Sequence, residues 1–159
     1  MKNLFYLIAI CFCFSLSQET NAQSFDQAVG ARLGYPFAVS YKKFISESDA
    51  FEAYAGNRGY VGYRRLNASI AYQKHSPFDA PGLEWYWGAG ASAYFYSFDV
   101  FNDNGNLGIG LQGYLGLQYT FEDVPFSVTL DWVPTVFLTG YDNGTGFEYG
   151  SLAVRYLLD

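Results

Sequence analysis

Residues 106–121 read NLGIGLQGYLGLQYTF. From Leu107 onward the odd positions are large and apolar: Leu107, Ile109, Leu111, Leu115, Leu117, Tyr119 and Phe121, with Gly113 the exception. The even positions carry Gly108, Gly110, Gln112, Tyr114, Gly116, Gln118 and Thr120, which are small, polar or amphipathic. A period of two puts successive side chains on opposite faces of a strand. This one runs well beyond the roughly five or six residues of an average strand. It suits a transmembrane barrel strand, which needs about nine to eleven residues with apolar side chains outside and polar ones inside.

The same alternation extends in both directions. Before this stretch it predicts strands over Phe25–Gly34, Phe37–Ile45, Ala50–Gly56, Tyr60–Lys74 and Leu83–Phe98; after it, over Pro125–Thr139 and Phe147–Leu158. The connections are short and rich in turn residues: Tyr35-Pro36, Ser46–Asp49, Asn57–Gly59, His75–Gly82, Asp99–Gly105, Glu122–Val124 and Gly140–Gly146. Pro134 cannot donate to a ladder and predicts a bulge or strand end inside the seventh strand. Eight strands allow an antiparallel sheet to close with both termini on one side. The expected fold is all-β, a single eight-stranded antiparallel up-and-down transmembrane β-barrel over residues 23–159. With the first strand running outward, the outside loops fall near 35–36, 57–59, 99–105 and 140–146.

Residues 1–22 read differently. Lys2 precedes an apolar run, Leu4–Leu16, followed by polar residues and the small-residue site Thr20-Asn21-Ala22. That pattern is a cleavable secretory signal, and the run is too short to span a bilayer as a helix. Both cysteines, Cys11 and Cys13, fall inside it. The mature chain of about 137 residues, one domain by length, then holds neither disulfides nor thiolate metal sites. Aromatic residues make up 21 % of the chain and charged residues 15 %, with a formal net charge of −6. The basic residues form no stripe, which argues against nucleic acid as a partner.

Alternation alone does not separate a membrane barrel from a soluble lipocalin-like one. The less apolar face decides between them. It consists of glycine, alanine, serine, glutamine and tyrosine, with isolated charges at Asp26, Arg32, Lys42, Glu52, Arg65, Glu84, Asp131 and Arg155. As a soluble exterior it is too poor in lysine and glutamate. As the lumen of a narrow barrel it fits, because eight strands enclose a space that side chains just fill and buried charges must pair. These eight residues, balanced in sign, are the expected structural charge network of the lumen. Aromatic residues near strand ends (Tyr35, Tyr60, Trp85, Trp87, Tyr119, Trp132, Tyr141, Tyr149) suit interfacial girdles.

Several stretches carry a family resemblance: GYPFAVSYKKFI (34–45), FDAPGLEWYWGAGA (78–91), GYLGLQYTFEDVPFSVTLDWVP (113–134) and the ending LAVRYLLD (152–159). Through them the chain resembles the small eight-stranded outer-membrane barrels of Gram-negative bacteria, of the OmpX type, and more narrowly an uncharacterised outer-membrane barrel family. The resemblance covers most of the mature chain and implies location and fold more than activity. It implies residence in the outer membrane as a monomer, contact with membrane lipid and lipopolysaccharide, and insertion by the barrel-assembly machinery. Such barrels often end in an aromatic residue; this chain ends Tyr156-Leu157-Leu158-Asp159.

Motifs that could carry chemistry are weak. Gly108–Gly113 matches G-x-G-x-x-G, but a dinucleotide site needs that run to turn from strand into helix, and here the alternation passes through it. His75, the only histidine, is expected in a solvated turn beside Ser76 and Asp79, which makes a poor triad. The loop Asp99–Asn106 lacks the terminal glutamate of an EF-hand. No catalytic, cofactor or metal site is expected. The functions left are a non-enzymatic envelope or structural barrel, a narrow pore or carrier for small or hydrophobic molecules, and a soluble periplasmic ligand-binding barrel. A filled lumen favours the first.

Overall fold

A computed structural model describes residues 26–34, 37–60, 63–98, 103–140, 144–147 and 149–158. The signal segment 1–22 lies outside them. Ten strands follow in chain order: β1 (Gln27–Gly34), β2 (Phe37–Phe44), β3 (Asp49–Tyr60), β4 (Tyr63–Pro77), β5 (Leu83–Phe98), β6 (Asp103–Thr120), β7 (Phe126–Trp132), β8 (Thr135–Thr139), β9 (Gly144–Gly146) and β10 (Gly150–Leu158). All pairings are antiparallel, and β10 returns to β1 with Gln27 opposite Leu158 and Gly34 opposite Ser151. The sheet therefore closes on itself.

The ten strands make eight staves. β7 and β8 form the seventh, divided at Pro134. Leu115 lies opposite Trp132 and Gln112 opposite Thr135, so β6 keeps one register across the break. The Pro134 carbonyl still accepts the Gly113 N–H at 2.9 Å. The proline thus removes one ladder donor without shifting the strand. β9 and β10 form the eighth stave, pairing with β8 and β7 respectively.

Asp103–Gly105 and Gly144–Gly146, expected in loops, are strand, and two further boundaries differ from the sequence reading. Asn57–Gly59 is strand, not turn: Asn57 faces Leu66, Arg58 faces Arg65 and Gly59 faces Arg64. Arginine and glycine at 58–59 look like turn residues, but pairing across β3 and β4 overrides that local preference. The second difference is His75. It lies in β4, with Tyr86 opposite, and the turn begins only beyond Pro77.

The faces follow the sequence parity. In β6, Leu107, Ile109, Leu111, Leu115, Leu117 and Tyr119 are exposed, whereas Gly108, Gly110, Gln112, Tyr114 and Gln118 are buried. Gly108–Gly113 runs as uninterrupted strand. Its first two glycines leave room for tyrosine rings, since a Cβ would stand 2.9 Å from Tyr96 Cε2 at Gly108 and 3.2 Å from Tyr94 Cε2 at Gly110. Outside, one register line joins Leu117, Leu130, Leu152 and Leu33 across four staves. A water-facing surface would not concentrate leucines in this way. Trp87, Tyr119 and Trp132 are exposed on this outer surface, but Tyr149 is buried and lines the lumen instead.

Gly116 is held to glycine by packing. A Cβ there would meet Tyr86 Cζ at 2.7 Å and both Asp131 Cβ and the Leu130 carbonyl oxygen at 2.8 Å. Gly116→Ala is expected to destabilise the barrel by about 1–3 kcal/mol through overpacking. The check is the temperature at which the folded band is lost in semi-native gel electrophoresis.

Candidate functional site: the lumen

Side chains alternating off eight staves must converge on the barrel axis, and in so narrow a barrel they touch across it. The centre is built on Glu52 of β3. Arg32 Nη1 of β1 donates to Glu52 Oε1 at 2.8 Å, Arg155 Nη2 of β10 donates to the same oxygen, and Gln73 Nε2 of β4 donates to Oε2 at 2.8 Å. Arg32 Nη2 reaches Asp131 Oδ2 of β7 at 2.7 Å. Asp131 also accepts the Tyr86 hydroxyl at 2.8 Å, the Ser151 hydroxyl at 2.8 Å and the Ser151 N–H at 3.2 Å. Arg155 spends its remaining donors on Ser40 Oγ (Nε, 3.0 Å) and Thr129 Oγ1 (Nη1, 2.8 Å). The side chains of Glu52, Asp131 and Arg155 are 0 % exposed, so these charges are stabilised by one another and by neutral donors rather than by water.

On one side of this cluster lie two aromatic layers. Toward the end where β3 and β4 are longest, Tyr54 and Tyr114 both donate to Gln112 Oε1 (3.2 and 2.8 Å), and the Arg32 guanidinium sits 4.6 Å from the Tyr54 ring centre. Further along, Arg65 lies over the Tyr94 and Tyr149 rings at 5.0 and 5.5 Å and donates to the Tyr149 hydroxyl at 3.3 Å. Between these layers is a cavity of about 10 Å³, lined by Arg32, Tyr54, Arg65, Asn67, Gln112 and Tyr149 among others. It has room for about one water.

Toward the other end, Lys42 donates to Gln118 Oε1 at 3.1 Å, stands 4.6 Å from the Tyr86 ring centre and lies 3.4 Å from His75 Nε2. His75 Nδ1 is 3.0 Å from Glu84 Oε2. The short turn Ser46–Asp49 closes the rim beside this group, with the Ser46 hydroxyl and the Tyr72 hydroxyl both donating to Asp49.

Of the eight charges expected inside, Arg32, Lys42, Glu52, Asp131 and Arg155 meet in one region, and Arg65 lies apart among tyrosines. Glu84 stands at the rim with its side chain 15 % exposed. Asp26 is a correction: it is exposed, ahead of the first ladder pair. There the strand alternation no longer orients it, and its backbone carbonyl caps the Phe44 N–H at 2.8 Å.

Four lumen partners were not singled out as such: Gln73, His75, Tyr86 and Gln118. Their signal was parity alone. His75 follows Arg65, Asn67, Ser69, Ala71 and Gln73 in steps of two, and Tyr86 follows Glu84. Prolines at 77 and 81 suggested an earlier turn and hid the continuation.

The arrangement defines a class of protein, the closed eight-stranded antiparallel barrel with an apolar exterior and a polar, filled interior. No protein-family model matches the chain. No curated protein sequence matches it. Among solved structures it is similar to Neisserial surface protein A (NspA), with a TM-score of 0.58 and 16 % identity, covering 84 % of this chain and 94 % of that one. At that identity the likeness speaks to fold.

Proposed function

We propose that this protein is an integral outer-membrane β-barrel with a structural or envelope-related, non-enzymatic role, exported by the signal over residues 1–22. The observation that carries this reading is the inversion of its faces. Leu130, in the middle of the outer leucine line, is 60 % exposed, while Arg32, Glu52, Asp131 and Arg155 are buried on the axis. A bilayer accepts such an exterior, and the buried charges supply the polar interior of a membrane barrel. The apolar cavity that a soluble ligand-binding barrel requires is occupied here by ion pairs and tyrosines.

The filled axis also favours a closed structural barrel over a narrow pore or carrier. Lipid and lipopolysaccharide are its surroundings, the barrel-assembly machinery its route of insertion, and the monomer its working form. The test is fractionation combined with electrophoresis. The protein is expected to remain in the membrane pellet through salt and alkali, to need detergent, and to change mobility on heating. Release by salt with no heat shift would overturn the reading. In planar bilayers the wild-type protein is expected to give no stable single-channel steps; regular steps would favour the pore.

A further inference from the structure

This inference rests on the plugged-barrel reading and adds a form of regulation to it. His75 enters the lumen from β4, its ring stacked on Tyr86 at 4.8 Å between centres and met edge-on by Phe44 at 5.0 Å. Its own N–H donates to the Ser48 carbonyl at 2.6 Å, which ties the backbone to the β2–β3 turn. The two ring nitrogens face different partners, Lys42 Nζ at 3.4 Å from Nε2 and Glu84 Oε2 at 3.0 Å from Nδ1.

These partners assign the ring proton. A lysine ammonium offers donors and no acceptor, so Nε2 meets it with the lone pair. The proton then sits on Nδ1 and is donated to Glu84, which makes the imidazole neutral. The charged and titratable groups facing His75 are Lys42 from β2, Glu84 and Tyr86 from β5 and, at longer electrostatic range, Glu52 from β3. Gln118 of β6 joins the same group through Lys42 and is uncharged.

We propose that the chain Glu84–His75–Lys42 is an acid-sensitive latch on the lumen plug. With a neutral ring it holds Lys42, which stands over the ring of the Tyr86 that donates to Asp131, to the rim. A proton added at Nε2 would set two donors against each other with no lone pair between them. The Lys42 contact breaks while the Glu84 contact is kept and becomes an ion pair. Acid therefore uncouples that end of the plug from the centre.

The test compares full-length mature wild type with His75→Gln, both folded into phospholipid vesicles, by the midpoint of the heat-induced gel shift from about pH 8 to about pH 4. Glutamine keeps an acceptor for Lys42 and a donor for Glu84 but does not titrate. The two midpoints are expected to track each other at high pH. They should then separate below roughly pH 6.5, the ordinary histidine value, with the wild type falling further. Carboxylates away from His75 titrate in both proteins and cancel in the comparison. Superimposable profiles would overturn the latch. Should the variant fold poorly, 15N NMR of the wild-type imidazole decides: a neutral ring protonated at Nδ1 at pH 7 supports the latch, and an Nε2–H tautomer or a charged ring overturns it. Failure of the membrane-barrel reading would show differently, as absence of any heat shift at neutral pH.

Discussion

Replacing Glu52 by leucine is expected to lower the stability of the folded barrel by about 3–5 kcal/mol, the cost of breaking a buried ion pair from one side. Two guanidiniums and one carboxamide converge on this carboxylate. Without it, among the described residues Arg155 keeps Ser40 and Thr129, and Arg32 keeps Asp131 and the Tyr54 ring. The charge left behind is buried away from bulk solvent. A second variant separates this explanation from simple loss of packing. Adding Arg155→Leu to Glu52→Leu removes the stranded charge as well, so the double variant should lose less than the sum of the two single ones. Urea unfolding in lipid vesicles, followed by tryptophan fluorescence, gives both numbers. Glu47→Gln in the exposed β2–β3 turn is the control and should stay within about 0.5 kcal/mol of the wild type. If Glu52→Leu behaves like that control, the buried cluster does not hold the barrel together.

Replacing Leu130 by arginine addresses the other face. Leu130 is flanked by Leu117 on β6 and Leu152 on β10, in the middle of the outer apolar surface. An arginine at the bilayer midplane on the lipid side of a barrel costs about 2–4 kcal/mol. At an exposed leucine of a water-soluble barrel the same change would be close to neutral. The expected result is therefore a loss of about 2–4 kcal/mol in vesicles, shrinking when the change is moved toward the rim, for example to Phe126. A flat response along the stave would place this surface in water.

The organising strand shows how much of this was open to reading. In β6 the side-chain period is two and the strand is uninterrupted, so the assignment of faces needs no knowledge of neighbours; the structure keeps every odd side chain of the run from Leu107 to Tyr119 that is large and apolar on the outside. The strand count and the break at Pro134 follow from equally local rules. The hairpin ends were less legible. Asn57–Gly59 and the prolines that follow His75 carry turn signals that pairing with β4 and β5 overrules, because ladder hydrogen bonds and cross-strand packing outweigh a weak local preference.

The lumen itself was legible only as a set of residues. Parity placed Arg32, Glu52, Asp131 and Arg155 on one face. It did not say that Arg32 would meet Asp131 across 99 residues of sequence, or Arg155 meet Glu52 across 103. Nor did it show that Lys42 would end against a histidine. Alternation along a strand is a local property of the backbone, so the amino-acid sequence by itself determined an all-β chain of eight staves with an apolar and a polar face. Which charges pair depends on the closure of β1 onto β10 and on the stagger of the staves around the axis. Those are properties of the whole sheet, and the tertiary structure alone decided them.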